Sequence, residues 1–476
     1  RPRGLPEVAR CLSLLNGAVV RLDQRYRRIA AAIVAAGGRL SGAASDLGGI
    51  AGRFAEGSAP REIRTAAASH LRLPLFLFFL ATELSRSFLP IFADAIYQPL
   101  PGFERSVVVA LPMTVYVLAS LLSTPLAGML VSRYGTANAY LLGMAPTIVG
   151  LLGEAFSTTI PVLAAFRVVE GAGFAIVSIA ALDHIRQTSS SGSLAKGAVV
   201  YGAAYIAGGI CGTSTGAILA DRAGFAGAFF IAVVIAVIAT QLSFGAFRDA
   251  FGSGREQPVR TEAPVRGRWL DLRPFKSLRF VSASIFLAWP AQMVVTGFVY
   301  YATPLLLHEE GFSTSMIGRI VMTYFLTSLI ASRLAARWAD SGGRHRGFAA
   351  AGLALSGIGA LVPIAAGGGG LWLILAVVLM GLAQAIGGPS RGAIMLEECA
   401  QLRGVPNSVA LGVYRVLERL GALAGPLFVA ALVPAWGYRS SIFILGLTVL
   451  TATLLYAALT RLAGGPGDPN PQEASA

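Results

Sequence analysis

Two pairs of opposite charges sit inside stretches of chain that otherwise carry none. Arg167 and Glu170 lie in Leu163-Ala-Ala-Phe-Arg167-Val-Val-Glu170-Gly171-Ala-Gly173, and Glu83 and Arg86 in Ala81-Thr-Glu-Leu-Ser-Arg-Ser-Phe-Leu-Pro90. The members of each pair are three residues apart, so on a helix they share a face and each lowers the cost of burying the other. A neutral pair of this kind suits proton exchange, and Glu170 is the expected carrier if protons are the coupling ion. The competing reading is a structural ion pair that steadies helix packing. Glu83 and Arg86 are expected to line a central cavity, the alternative being that they satisfy only each other.

Elsewhere Gln292, Tyr300, Tyr301, Tyr324, Gln384 and Arg391 are single polar groups on apolar segments, a pattern more usual for packing or interfacial residues than for ligands. Arg415, Glu418 and Arg419 fall within one helical turn, where an excess of positive charge would attract an anion. Arg415 is instead expected near a helix end, against lipid headgroups. Nothing points to an enzyme, a cofactor or a metal. His70, His184, His308 and His345 are scattered, and glycines 367 to 370 lack the Lys-Ser/Thr of a phosphate cradle. Cys11, Cys211 and Cys399 have neither metal-like nor redox-like spacing and read as apolar fillers.

The elements that must carry these groups follow from composition. Of 476 residues 55% are hydrophobic and only 13% charged, where a soluble domain would have about a quarter charged. The mean hydropathy is +0.67. The formal charge is +14, from 38 basic and 24 acidic residues. Nucleic acid would explain such a balance, but the long uncharged stretches are what a bilayer selects, so lipid is the expected partner and the cations should flank spans. From Leu73 onward twelve spans are expected: 73–95, 107–131, 137–157, 160–183, 197–220, 226–247, 279–305, 314–338, 347–366, 371–393, 406–433 and 438–461. A polar connector, 248–278, separates the halves, and 463–476 reads as a disordered tail.

Alternate connections hold Arg133, then Arg186 and Lys196, then the basic connector, then Arg337, Arg344 and Arg346, then Arg403. Lys and Arg resist transfer across the membrane during insertion, so both termini and the connector are expected in the cytoplasm of a bacterium, with the chain in its inner membrane.

Residues 1–72 differ, with twelve Arg against five acids and no span-length apolar run. Val8, Leu12, Leu15, Val19, Leu22, Tyr26, Ile29 and Ile33 alternate steps of four and three, a heptad seam expected to pack against another helix. Ala36, Leu40, Ala43, Leu47, Ile50 and Phe54 continue it past Gly37-Gly38 and Gly48-Gly49, so a broken helical hairpin and one long coiled coil both fit. Self-association through 8–54 is an expectation of this pattern. The chain opens with Arg rather than Met, and an upstream segment of a longer protein is expected.

The halves repeat. Gly128, Ser132 and Gly135 lie 208 residues before Ala336, Asp340 and Gly343, and Gly212, Gly224 and Phe225 lie 213 before Gly425, Gly437 and Tyr438. Gly128-Met-Leu-Val-Ser132-Arg133-Tyr134-Gly135 resembles the G-x-x-x-D-R-x-G-R-type loop of the major facilitator superfamily, with Ser132 where that family normally has Asp. The copy from Ala336 through Asp340 and Gly343 to Arg344 keeps the Asp but loses the first Gly. The segment from Arg167 to Gly171 is similar to the family's R-x-x-x-G pattern, which is linked there to proton coupling. Gly208, Gly212 and Gly216, with Gly421, Gly425 and Pro426 as counterpart, resemble its glycine-rich fifth-helix motif. Small residues at this spacing let helices approach closely, and a hinge surface between bundles is expected, with generic helix packing as the alternative.

The resemblance spans about residues 73–462 and implies an all-α membrane protein: twelve transmembrane helices in two pseudo-repeated six-helix bundles, 73–247 and 279–462, after a cytoplasmic helical segment. It implies a secondary transporter in which the bundles alternate access to a small-molecule substrate, with proton coupling as one form. The pathway expected is Glu83, Arg86, Arg167, Glu170, Gln292, Tyr324, Gln384 and Glu418, with the loops at Gly128, Arg133, Gly135, Asp340, Gly343 and Arg344 as gates. The alternative is a membrane sensor built on the same scaffold, with the heptad segment as its signalling or dimerisation element.

Overall fold

The computed structural model describes residues 71–188, 194–247, 273–340, 344–365, 370–402, 405 and 407–462. The heptad segment with its expected self-association, most of the connector, Gly343 and the tail after 462 lie outside the described residues.

Long apolar runs in a bilayer must satisfy their backbone groups internally, and here they do so as helices; among the described residues there is no strand. We number twelve crossings. α1 is in two pieces, Arg72–Glu83 and Leu89–Ala95. α2 is Arg105–Tyr134, α3 Thr136–Ala155 and α4 Ile160–Thr188. α5 and α6 are the two arms of the 53-residue helix Leu194–Ala246. At 1.5 Å per residue that helix would run about 80 Å, more than twice a hydrocarbon core of about 30 Å. Gly224, at φ 74°, is non-helical and divides it. α7 is Leu278–Glu309, α8 Thr314–Asp340, α9 His345–Ala365 and α10 Gly370–Ala400. α11 and α12 are the arms of Asn407–Leu462 on either side of Gly437, at φ 70°.

Duplication is written into both backbone and packing. Gly102 and Gly311, in the turns after α1 and α7, have φ 82° and 84°, matching each other as Gly224 matches Gly437. In the first half α1 packs on α5, α4 on α2 and α3, and α6 on α3; in the second α7 packs on α11, α10 on α8 and α9, and α12 on α9. Between the halves the contacts are equally paired, α5 with α8 and α2 with α11. Large apolar side chains such as Leu122, Ile330 and Leu454 are exposed on the outer surface, as a lipid-facing wall requires.

Three features differ from the sequence-based expectation. The first crossing is interrupted at 84–88, because Pro90 has no N–H to bond back to the preceding turn and its ring crowds that turn. Glu83 closes the first piece and Arg86 lies in the interruption. α7 carries two π-helical stretches, Ser282–Ala288 and Val295–Ala302, of a kind often found at functional sites.

The third difference is a correction: the glycine rows do not form the surface between bundles. Gly208, Gly212 and Gly216 face Phe79, Glu83 and Leu84 of α1, and Gly421 and Gly425, which precedes buried Pro426, face Trp289 and Gly297 of α7. Both rows pack helices within a bundle. Small-residue spacing announces a close approach without saying which neighbour approaches. The bundles instead meet at Gly318 of α8, which abuts Thr213 and Ala217 of α5.

A methyl group at Gly216 would collide with the Leu84 carbonyl, whereas one at Gly202 meets nothing within 4 Å. Gly216→Ala is therefore expected to cost about 1–3 kcal/mol of stability. Gly202→Ala should be neutral or stabilising. Thermal denaturation of the purified variants checks both.

Candidate functional site

Inside the first bundle the charged groups are concentrated where α3 and α4 touch. A Cβ at Gly150 would lie 2.6 Å from Glu170 Cβ, and Gly153 is covered by the Phe166 ring, so the helices nearly meet along this edge. That approach brings Glu154, in the last turn of α3, to Arg167 of α4. The Arg167 Nη1 donates to Glu170 and lies 3.5 Å from Glu154 Oε2, and the guanidinium sits over the Tyr116 ring of α2 at 4.3 Å. Both carboxylates are fully buried and Arg167 is 6% exposed. α2 holds its place because Gly171 lets the Tyr116 carbonyl approach, 2.5 Å from where a Cβ would be.

The second pair sits at the break in α1. Arg86 bonds Glu83, which is fully buried. Its guanidinium also lies 4.6 Å from the centre of the Tyr300 ring, in the second π-helical stretch of α7, so it satisfies more than its neighbour and reaches the opposite bundle. Around it stand rings from both halves. Tyr300 meets Tyr324 at 6.0 Å and Phe325 at 6.2 Å, Phe325 meets Tyr205 of α5 at 6.5 Å, and Tyr205 packs on Phe79 of α1 at 5.4 Å.

In the second bundle Gln292 of α7 donates to Glu418 of α11 at 3.1 Å, and Arg415 donates to the other Glu418 oxygen at 2.7 Å. Arg415 is exposed and lies about two turns inside the helix that begins at Asn407, and Arg419 is exposed one turn further on. Arg391 is buried in α10 and donates to Gln384 at 2.6 Å.

The bundles are hydrogen-bonded to each other on the side of the α1–α2 and α7–α8 turns. Ser106 donates to the Ala430 carbonyl at 2.6 Å, Tyr301 to the Ser106 carbonyl at 2.7 Å, and Ser315 to Asp221 at 2.6 Å. On the opposite side are the expected gate loops. Gly135, at φ 79°, makes the α2–α3 turn, and Gly128 faces open space. The Ser132 hydroxyl donates to the Met129 carbonyl of its own helix, and the exposed Arg133 lies over the Tyr134 ring at 5.4 Å. Asp340 ends α8, and the backbone N–H of exposed Arg344 bonds the Ala339 carbonyl.

The structure thus brings Glu83 to Arg86, Arg167 to Glu170, Gln292 to Glu418 and Gln384 to Arg391, while Tyr324 joins the rings around Arg86. Sequence reasoning missed Glu154, whose signal was a lone carboxylate in the last turn of an apolar span. It also missed Tyr116 and Tyr205. Replacing Tyr300 by Leu removes the ring under Arg86 and is expected to lower stability by about 1–2 kcal/mol, while Tyr300→Phe keeps the ring and should change little. Melting temperatures of the two purified variants decide this.

A sequence profile of the Major Facilitator Superfamily matches residues 74–317 and 286–475. No curated protein matches the chain. Among solved structures it is similar to the human organic anion transporter MFSD10, at 21% identity and TM-score 0.58, over 84% of this chain and 100% of that one. A D-xylose-proton symporter is similar at 16% identity and TM-score 0.67, over 84% of this chain and 99% of that one. A POT family transporter in complex with 5-aminolevulinic acid gives 14% and 0.65, over 84% and 96%. With its twelve crossings in paired sixes and a profile match over most of its length, the chain belongs to the major facilitator superfamily, a family of transporters.

Proposed function

We propose that the chain is a proton-coupled secondary transporter of a small organic solute in a bacterial inner membrane, with the basic connector and both termini cytoplasmic. The observation that carries this reading is a largely buried ion pair at the bundle interface: Arg86, bonded to Glu83 of its own half, lies over Tyr300 of the other. Charges inside a membrane are expensive and are kept where they face a partner, a cavity or a solute. A solute held between the halves gains contacts from both, and its differential affinity for two arrangements of the bundles is what shifts one into the other.

The described arrangement is bonded shut on the non-connector side through Ser106, Tyr301 and Ser315. Arg415 and Arg419 stand exposed toward the connector side. We read it as the inward-facing state, with Gln292, Tyr324, Gln384 and Glu418 on the path of the solute. The gates are the loops at Gly128, Arg133 and Gly135 and at Asp340, Gly343 and Arg344. Relatives of the same fold include an organic anion transporter, a proton symporter and a transporter holding an amino acid, which supports a small organic solute and protons as the driving ion.

The reading is tested in proteoliposomes with a panel of radiolabelled organic acids, sugars and short peptides. Uptake of at least one solute should rise when the lumen is made alkaline relative to the bath. Glu170→Gln should abolish that response while leaving exchange of the solute down its own gradient. A Glu170→Gln protein that still responds fully to the imposed gradient contradicts the role of Glu170, and no flux of any solute contradicts transport.

A further inference from the structure

The buried ionisable groups of the first bundle do not balance. Glu83, Glu154 and Glu170 are three fully buried carboxyls, facing two guanidiniums, Arg86 and Arg167. Glu83 has Arg86 to itself at the α1 break. Glu154 and Glu170 come from different helices onto one nitrogen of Arg167, and among the described residues neither is within ion-pair distance of a second cation. Their oxygens are also left over: both of Glu154 and Oε1 of Glu170 are buried and accept no hydrogen bond. A surplus ionised carboxylate with unpaired oxygens is costly to hold in a membrane interior.

We propose that Glu154 and Glu170 form one proton-binding site: a proton taken from water makes an O–H bond on one carboxyl and is donated to a free oxygen of the other, while Arg167 holds both in place. One proton brings the cluster to neutrality and supplies the donor its unpartnered oxygens lack. Two carboxyls at one cation share a proton as a unit, so occupancy belongs to the pair and not to either residue. The groups that face the pair are Tyr116 from α2, Arg167 from α4, and the Glu83–Arg86 pair from α1, which lies within electrostatic reach of Glu170. Gly150 and Gly153 make the site possible, since the carboxyls meet only where α3 and α4 nearly touch. The use of this proton in coupling rests on the transport reading above; its presence does not.

Infrared spectroscopy of the full chain in lipid nanodiscs tests the site without any solute. At neutral pH the wild type should show a protonated-carboxyl C=O band that shifts in D2O and disappears in a single one-proton step as the pH is raised. The band should be lost in Glu154→Gln and equally in Glu170→Gln, because each leaves one carboxylate neutralised by Arg167, and it should persist in Glu83→Gln. A wild type without the band overturns the proposal, as does a band that survives in either single variant. The wild-type titration needs no variant to fold and counts the proton by itself. If the infrared result holds while flux ignores a pH gradient, the coupling reading fails and the site stands.

Discussion

Arg167 is the group on which the interior of the first bundle depends. A guanidinium cannot shed its proton in a protein, so wherever it is buried it must be surrounded by acceptors. Here two carboxyls and the face of Tyr116 do this, and three helices are thereby tied to one another: α2 through the ring, α3 through Glu154 and α4 through Arg167 and Glu170. With hydrocarbon outside, moving any one of these helices away would strip the shared cation of an acceptor.

The duplicated second bundle keeps the packing plan but not the charges. The approach of α4 to α2 at Gly171 and Tyr116 is repeated by α10 and α8 at Gly381 and Tyr324, where each glycine admits a tyrosine carbonyl at 2.5 Å. The positions around that second contact are apolar or singly polar, whereas Arg391 lies on the later part of α10 and the Arg415–Glu418 pair on α11. In the function proposed above, this asymmetry divides the labour: the first half handles the proton, and the second presents Gln292, Glu418 and exposed arginines to the solute. Between them Arg86 and the surrounding rings touch both halves at once.

Much of this was legible in the sequence because the bilayer imposes long apolar runs and isolates their exceptions. The twelve crossings, the duplicate turns at Gly224 and Gly437, and the pairs Arg167–Glu170 and Glu83–Arg86 need only length, hydropathy and helical spacing. What was not legible depends on which helices touch. Glu154 sits sixteen positions from Glu170 on a separate span, and only the Gly150 and Gly153 contacts bring it into the cluster. Gly208, Gly212 and Gly216 advertised a close approach, but that the neighbour is α1 is a tertiary fact. The π-helical turns of α7, which set Tyr300 against Arg86 and Tyr301 against Ser106, leave no mark in composition.

If the halves are rigid bodies hinged on the α5–α8 and α2–α11 contacts, distances within a bundle must stay fixed while those between bundles change in opposite senses at the two membrane faces. Spin labels at exposed Phe103 and Leu371 report one face, and labels at exposed Tyr134 and Trp338 the other. Pulsed dipolar spectroscopy in nanodiscs, comparing alkaline with acidic pH, should show one distance lengthening as the other shortens. Both distances moving in the same sense, or neither moving, would contradict the account.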